Sequence, residues 1–357
     1  MAIIDYDIRH YQSEFYPQVI YLLKYLLGND YDNNREYFKW KYHDNPYTEL
    51  PLGIMTLYKG DVVGFRGYFA TRFRINGKND NIISLCPGDT CVHPDHRRKG
   101  LSVAMGNKAA EEYTEKYSFF LNLTSTKISL PGYLRMGFFP LAPKAYLTRC
   151  SMGGLVRFLY HAKRKCERTP ERIMYGPFDD VIVSQKPRPK EMNALIEEQR
   201  VGSDKILLYQ DENFFKWRFL NKHNQYLFLY RVKNKVTTGY VVIRMSPNKR
   251  RGFIVDYAQS DESSIERILR FIIKAGYFDV LSIYHFSLIK DVEHTVQDLG
   301  FKKVGLIRVV EKKINGELPL LIRPVKQNYS HNDFFVEDLD LRKIENWYIK
   351  GICSDDA

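Results

Sequence analysis

The chain repeats one pattern of residues twice, and this repeat constrains its fold more than any other feature. Trp40 lies in an aromatic and basic segment with helical character, and Trp217 lies in a matching segment 177 residues later. Each tryptophan is followed by two strand-like runs, a strand with an aspartate, a helical stretch, a short apolar strand and a Gly-Phe pair. Self-similarity of this kind indicates a duplicated structural unit.

The matching segments occur in the same order in both copies. In the first copy they are Gly53–Ala70, Asp89, Leu101–Tyr113, Phe119–Leu123 and Gly137–Phe138. In the second copy they are Tyr226–Met245, Asp256, Ile265–Ala275, Val280–Tyr284 and Gly300–Phe301. Strands that alternate with helices are typical of the α/β class. We therefore predict two α/β domains, over residues 1–150 and 186–357, and a linker over 151–185 that is rich in turn residues.

A basic turn in the first copy has the features of a phosphate-binding site. A strand through Cys91 and Val92 ends at Pro94, and the turn Arg97–Lys99 leads through Gly100 into a helix. The first amides of a helix lack internal partners, and the helix dipole is positive at that end. These groups bind phosphate directly, although the same residues would also suit a solvated helix start.

The turn resembles motif A of the GNAT superfamily of N-acyltransferases, whose loop reads R/Q-x-x-G-x-G/A. Arg97-x-x-Gly100-x-Ser102 matches it, with serine as the last small residue. The family's next landmark, a tyrosine four residues before a Gly-Phe pair, is present as Tyr133. The resemblance implies two GNAT-like domains, each with a mixed central sheet flanked by helices.

The resemblance also implies which residues hold an acyl-coenzyme A. The pyrophosphate would be bound at the turn and the start of the helix, and the pantetheine arm would run beside the preceding strand. The implied coenzyme contacts are Cys91, Val92, Arg97, Arg98, Lys99, Gly100, Leu101, Ser102 and Asn122. For Asn122, which lies on the apolar strand of the first copy, packing at the edge of the core is an equal alternative.

Two side chains are candidates for the chemistry of acyl transfer. By the family's pattern Tyr133 would give a proton to the departing thiolate, or would only pack against the sulfur. Asp89 lies on the strand before the turn. It could accept the proton of the amine, or it could only orient the acceptor.

The second copy departs from the family's pattern. Ser260–Ser264 replaces the basic turn and contains two carboxylates, which would repel a pyrophosphate, and Val296 replaces the tyrosine. We therefore predict a degenerate second copy and one coenzyme site per chain. Asp256 and His285 occupy strand positions in this copy from which they could contact the acceptor.

The formal charge of +12 favours an anionic partner. The basic residues are spread along the chain, so we expect no nucleic-acid partner. No apolar run is long enough for a membrane span, and we expect none. The five cysteines are scattered without a CxxC pair, so we expect no metal and a cytoplasmic protein.

The acceptor is the least determined part of the prediction. The two-copy organisation is similar to that of bacterial acyltransferases for amino sugars, so a nucleotide-linked amino sugar is the preferred acceptor and acetyl-CoA the default donor. An antibiotic amine, an amino acid or a protein lysine is the alternative among enzymes. A coenzyme-A-binding regulatory protein without turnover is the alternative outside them.

Overall fold

The computed structural model describes residues 5–75, 78–114, 116–151, 173–199, 205–247, 250–285, 288–303 and 318–354. The strands within these ranges are β1 (Asp7–His10), β2 (Gly53–Tyr58), β3 (Asp61–Ile75), β4 (Asn79–Val92), β5 (Phe119–Asn122), β6 (Phe139–Pro143), β7 (Tyr146–Cys150), β8 (Gly176–Phe178), β9 (Val181–Ser184), β10 (Ile206–Leu208), β11 (Gln225–Lys233), β12 (Val236–Met245), β13 (Arg251–Gln259), β14 (Val280–Tyr284), β15 (Pro319–Pro324), β16 (Phe335–Val336), β17 (Leu339–Asp340) and β18 (Trp347–Tyr348).

The helices cover the faces of the sheets. They are α1 (Tyr16–Leu22), α2 (Lys24–Leu27), α3 (Tyr31–Phe38), α4 (Leu101–Glu112), α5 (Leu130–Arg135), α6 (Pro189–Glu198), α7 (Glu212–Arg218), α8 (Ser264–Ala275) and α9 (Lys290–Asp298). A π-helical turn, Lys39–His43, extends α3. No helix in the described part of the chain is both long enough and apolar enough to span a membrane.

Two large mixed sheets form the framework. The first has the order β1-β2-β3-β4-β5-β15-β6, with β10 on the far end of β3 and β18 beside β10. The second has the order β7-β14-β13-β12-β11-β9-β8. In each sheet a parallel pair, β4 with β5 or β13 with β14, lies among antiparallel neighbours, and β10 and β18 at the edge of the first sheet are also parallel. The predicted α/β class with two mixed, helix-flanked sheets is confirmed.

The two copies exchange a strand. β15 lies in the second half of the sequence but pairs antiparallel with β5 in the first sheet, where Leu321 is opposite Asn122. Conversely, β7 belongs to the first half but pairs antiparallel with β14, where Cys150 is opposite Val280. Each copy therefore completes the sheet of the other.

The sheets do not divide at the boundaries that the sequence predicted. β7 ends at residue 150 inside the second sheet, and β15 lies in the first. Residues 176–184, which were assigned to the linker, form β8 and β9 at the edge of the second sheet. Residues 152–172 of the predicted linker lie outside the described residues. The repeat marks where each pattern begins and ends, but it carries no information on which sheet a strand joins.

The largest core cluster lies between the copies. Trp40 and Trp217 stack there with ring centroids 5.8 Å apart, and Trp347 packs at right angles to Phe73 and Phe119. A second cluster lies between the first sheet and helices α4 and α5, and a third lies between the second sheet and α8. Burial of aromatic surface between the copies makes them one folding unit.

Candidate active site

A bulge in β4 opens the site. Phe65 pairs with Cys91 and Gly67 with Gly88, so one residue of β3, Arg66, is opposite two residues of β4. The first of these two, Asp89, has a left-handed backbone with φ of 45°. Such bulges bend a strand and change the direction of its side chains.

Beyond the bulge, β4 and β5 separate. Their parallel pairing covers Ser84 and Leu85, after which β4 continues to Val92 while β5 ends at Asn122. The diverging strands form a wedge that opens toward α5.

The turn after β4 places the uncapped N-terminal end of α4 at the opening of this wedge. Arg98 and Gly100 both have left-handed backbones, with φ of 62° and 77°. Gly100 is the residue before α4, and no side chain caps the helix there. A glycine adopts this conformation without strain. The amides at the start of α4 are therefore available to an anion, which the helix dipole also favours.

The turn, the end of β4 and α5 enclose one open cleft with an empty volume of about 1290 Å³. Its lining includes Thr90–Val92 on one side, Arg97 and Arg98 at the mouth, and Ser129 and Tyr133 on the opposite side. Ile128, which is 94% exposed, forms part of the rim. The cleft therefore brings together the basic turn, the strand edge and the tyrosine that the sequence had singled out.

Most of the predicted coenzyme residues lie at this cleft, but with different roles. The Cys91 thiol donates to the Leu22 carbonyl at 3.3 Å, and burial raises its pKa to about 11, so only its backbone faces the wedge. The Val92 carbonyl accepts from Arg97 Nε at 3.0 Å. The Leu101 side chain is buried in the core. These residues shape the backbone rather than offer side chains.

Two of the predicted coenzyme side chains are committed elsewhere. Lys99 Nζ donates to the Tyr6 hydroxyl at 2.9 Å, and this hydroxyl also bonds to His96. Asn122 Oδ1 accepts from the Thr124 amide at 2.8 Å and closes a turn after β5. Asn122 is buried, so this local turn explains its presence better than a ligand contact does.

Tyr133 is held against β4. Its side chain is buried, and its hydroxyl lies 3.5 Å from the Pro87 carbonyl, at the point where β4 leaves β5. One ring face meets the Arg66 guanidinium, 4.9 Å from the ring centroid. The edge of Phe138 contacts the ring from the other direction. The hydroxyl is therefore fixed inside the wedge.

Arg66 is a site residue that the sequence reasoning missed. Its side chain lines the cleft, although the residue is only 2% exposed. Nη1 donates to the Ser102 carbonyl at 3.2 Å, within the first turn of α4. A cation inside an otherwise apolar strand run was visible in the sequence, but the direction of its side chain depends on the bulge.

Asp89 does not face the cleft. Its carboxylate forms a buried ion pair with Lys41 at 2.9 Å and accepts from the hydroxyls of Tyr42 at 2.6 Å and Tyr37 at 3.3 Å. Lys41 is 1% exposed. The Asp89 oxygens are therefore already engaged by a buried cation and two hydroxyl donors. Asp89 is a weak candidate for a proton acceptor.

The second copy lacks the phosphate turn. β13 ends at Gln259 and α8 already begins at Ser264, so the connection is four residues long. Gln259 Oε1 accepts from the Ile265 amide at 2.9 Å and occupies a donor at the helix start. A Cβ placed on Gly239 would lie 2.5 Å from Ser264 Cβ, because the helix packs directly on the strand. An anion has no room there.

The wedge of the second copy is filled by the chain itself. The segment Lys350–Gly351 lies where β13 and β14 separate, since a Cβ on Gly351 would be 2.9 Å from Val255 Cα and 3.3 Å from Tyr284. Lys350 Nζ forms a buried ion pair with Asp256 and donates to the Tyr257 carbonyl. No second coenzyme cleft is available at this position.

Neither acceptor residue proposed for the second copy reaches the coenzyme cleft. Asp256 is fully buried, and its carboxylate also accepts from Gln210 and Tyr240 at 2.8 Å. His285 lies after β14, with Nε2 3.3 Å from a Glu293 oxygen, and burial lowers its pKa. Asp256 is a structural ion-pair partner because Lys350, far away in sequence, folds onto it.

A second cleft lies between the two copies, with an empty volume of about 1070 Å³. Tyr37 and Trp40 line it from the first copy, and Leu220 and Lys222 line it from the second. Tyr37 joins it to the bulge through its hydrogen bond to Asp89. The cation Lys222 is paired with Glu36 across the cleft.

Residues 7–141 match the family model described as the acetyltransferase (GNAT) domain. This part of the chain is similar to a GNAT domain. The match covers β1 through most of β6 and includes the turn, the bulge and Tyr133. No curated protein matches the sequence.

Solved structures extend the similarity in fold to both copies of the GNAT pattern. A probable N-acyltransferase from Enterococcus faecalis superimposes with a TM-score of 0.59 at 11% identity, over 92% of this chain and 74% of that chain. A tandem GNAT protein from the clavulanic acid biosynthesis pathway gives 0.52 at 10% identity, over 91% and 99%. Saccharomyces cerevisiae N-myristoyltransferase with bound myristoyl-CoA gives 0.55 at 13% identity, over 97% and 85%.

Proposed function

We propose that this protein transfers an acyl group from an acyl-CoA to the amine of a small acceptor, by direct attack in a ternary complex. The observation that carries the proposal is the cleft itself. It places a bare helix start, the free part of β4 and the Tyr133 hydroxyl around one wedge. A thioester with a diphosphate at one end requires these three elements together.

The coenzyme would enter with its pyrophosphate at the turn. Backbone amides from Arg98 to Ser102 would bind the phosphate oxygens, and Arg97 would add positive charge at the mouth. The pantetheine arm would then run beside Cys91 and Val92 as an additional strand, because β5 has already turned away there. The thioester would reach the wedge next to Tyr133.

Acyl transfer then needs a proton for the leaving sulfur. The amine nitrogen attacks the thioester carbonyl, the C–S bond breaks, and Tyr133 gives its proton to the thiolate. Tyr133 regains this proton from water, and the acylated nitrogen loses one to solvent. We assign Asp89 a structural role, in which its ion pair with Lys41 holds the bulge that opens the wedge.

The acceptor would bind in the cleft between the copies, on the other side of β4 from the coenzyme. Residues of both copies line this cleft, which explains why a degenerate copy is retained. A nucleotide-linked amino sugar remains the preferred acceptor on the sequence resemblance, with another small amine as the alternative. Acetyl-CoA is the default donor.

The proposal is tested by incubating the full chain with a panel of acyl-CoA donors and amine acceptors and following thiol release. Amino-sugar nucleotides, free amino sugars, amino acids, aminoglycosides and a lysine peptide would form the acceptor panel. We expect turnover that requires both substrates. If acetyl-CoA binds but no pair reacts, the regulatory coenzyme-binding alternative replaces the enzyme.

A further inference from the structure

Two buried arginines lie behind the candidate coenzyme cleft. Arg66 on β3 and Arg323 on β15 are 2% and 3% exposed. The guanidinium of Arg66 is beside Tyr133, and that of Arg323 is over the ring of Tyr329. Because β15 reaches the first sheet by the strand exchange, Arg323 comes from the second half of the sequence.

The charge of Arg66 also affects the pKa of Arg323. Burial lowers the pKa of Arg323, and the positive charge of Arg66 lowers it further. Both arginines also affect the pKa of the Tyr68 phenol. Burial raises the pKa of Tyr68 to about 12, although Arg66 and Arg323 each oppose this rise.

No carboxylate of the described residues lies within ion-pair distance of either arginine. Arg323 Nη2 donates to backbone carbonyls at Lys326 and Gln327, and Arg66 Nη1 to Ser102. Among the described residues, Arg66 Nε and two nitrogens of Arg323, Nε and Nη1, have no hydrogen-bond partner. An unneutralised buried charge is costly to fold, so its retention calls for a functional reason.

The charged groups nearby face the cleft from one side of the sheet. Arg66 and Tyr68 share a face of β3, which packs against α4 and α5, and Tyr133 projects onto it from α5. Asp89 is directed to the opposite face, where Lys41 neutralises it. Arg66 therefore lines the wedge with no compensating carboxylate among the residues that the structure describes.

We propose that Arg66, supported by Arg323, stabilises the coenzyme A thiolate as it leaves. This inference rests on the proposed function, because it places the coenzyme sulfur beside Tyr133. As the C–N bond forms and the C–S bond breaks, the electron pair departs on sulfur. A preorganised positive charge in a site of low dielectric lowers the energy of this developing anion. Tyr133 then protonates the thiolate.

The test compares binding of coenzyme A with binding of desulfo-coenzyme A, which lacks only the thiol. Dissociation constants would be measured by calorimetry on the full chain from about pH 7 to about pH 10, where thiols ionise. Ionisable groups that affect the binding of both ligands equally do not change the ratio of the two affinities. For the native chain we expect this ratio to favour coenzyme A increasingly as the pH rises, by about tenfold for each unit by which the thiol pKa is lowered.

Arg66→Met should abolish this pH-dependent preference, and Arg66→Lys should retain part of it. Arg74→Met is the matched control, since Arg74 lies on the same strand but is paired with Glu197 away from the cleft. The same series of variants in a Tyr133→Phe background excludes ionisation of the Tyr133 phenol as the source of the pH-dependent preference for coenzyme A. In turnover, Arg66→Met should lower kcat about 10²-fold with little change in the KM for acyl-CoA.

The inference is overturned if the native ratio does not change with pH, or if Arg66→Met follows the native curve. If Arg66→Met raises the KM for acyl-CoA and leaves kcat unchanged, the inference is also overturned, because Arg66 then only helps to pack α4. If neither ligand binds the native chain, the proposed function fails along with the inference. Binding of both ligands with a flat ratio leaves the proposed function intact and rejects only the role of Arg66.

Discussion

Trp40 and Trp217 exchange hydrogen bonds at the centre of the molecule. Nε1 of Trp40 donates to the Trp217 carbonyl at 3.1 Å, and Nε1 of Trp217 donates to the Trp40 carbonyl at 2.8 Å. The two residues occupy equivalent positions in the repeat, so the contact is reciprocal, like a two-fold interface within one chain. Both indoles are 5% exposed, and their polar atoms satisfy each other.

We expect Trp40→Phe to destabilise the whole protein. The substitution removes one of the paired donors, leaves the Trp217 carbonyl with backbone donors such as the Leu220 amide, and opens a small cavity. The free energy of unfolding should fall by about 2–3 kcal/mol. Urea denaturation would measure it, with Trp217→Phe and the double variant completing a thermodynamic cycle. Additive losses would show that the two indoles do not act as a pair.

Tyr133→Phe should slow turnover without preventing binding of the coenzyme. The variant keeps the ring that Arg66 and Phe138 contact but loses the hydroxyl inside the wedge. We expect kcat to fall about 10²-fold, as is typical when a proton donor is removed, with a small change in KM for acyl-CoA. Tyr117→Phe, at a half-buried tyrosine after α4, is the control. Full turnover in Tyr133→Phe would remove the acid assignment.

Reversal of charge at the turn should abolish coenzyme binding. Arg97→Glu with Arg98→Glu places two carboxylates at the start of α4, where they repel a pyrophosphate. Calorimetry should give one acetyl-CoA per native chain and no measurable binding for the double variant. Lys274→Glu, on α8 of the second copy, makes the same reversal from positive to negative charge away from the cleft. This variant should bind acetyl-CoA normally. A stoichiometry of two would contradict the blocked wedge of the second copy.

Asp89 and Lys41 allow a test that separates a structural carboxylate from a catalytic base. Asp89→Asn leaves the buried Lys41 ammonium without the carboxylate that neutralises its charge, so we expect a loss of about 3–5 kcal/mol in unfolding free energy. Adding Lys41→Met removes the orphaned charge and should restore most of the stability and much of kcat. If the double variant is stable but its kcat stays low, and the acidic limb of its residual pH profile is lost, Asp89 is the base after all.

His285 offers a prediction on pH. Burial lowers the pKa of the folded imidazole below the ordinary value of about 6.5, so the unfolded chain binds this proton more tightly. Its contribution to stability is complete above that value and is lost as the pH falls below it. His285→Gln should therefore make the acid side of the stability curve less steep in thermal unfolding. The variant should keep native kcat and acceptor KM, because His285 does not reach the cleft.

The sequence predicted those features that depend on local pattern. The helix from Leu101, the strand Val280–Tyr284 and the turn Arg97–Ser102 follow from periodicity and from residues whose backbone preferences are strong. The position of Tyr133 at the same cleft followed from its spacing to the Gly-Phe pair. These elements are determined by residues close in sequence, and therefore they could be inferred without the fold.

The features that the sequence could not predict depend on contacts between distant segments. Because of the one-residue bulge in β4, Arg66 faces the cleft and Asp89 faces Lys41. Asp256 occupies the position in the second copy that Asp89 occupies in the first. It is nevertheless paired with Lys350, which lies far from it in the sequence. No periodicity in the sequence encodes which partner a buried charge will meet.

The crossed placement of β7 and β15 has a consequence for how the protein reaches its native state. Neither half can finish its own sheet, because the strand beside β5 or β14 is delivered by the other half. Synthesis of the first half alone would leave the backbone of β5 without its outer neighbour until about two hundred further residues had emerged. The two halves are thus obliged to co-fold, and fragments split between residues 151 and 173 should be insoluble apart and complement each other when mixed.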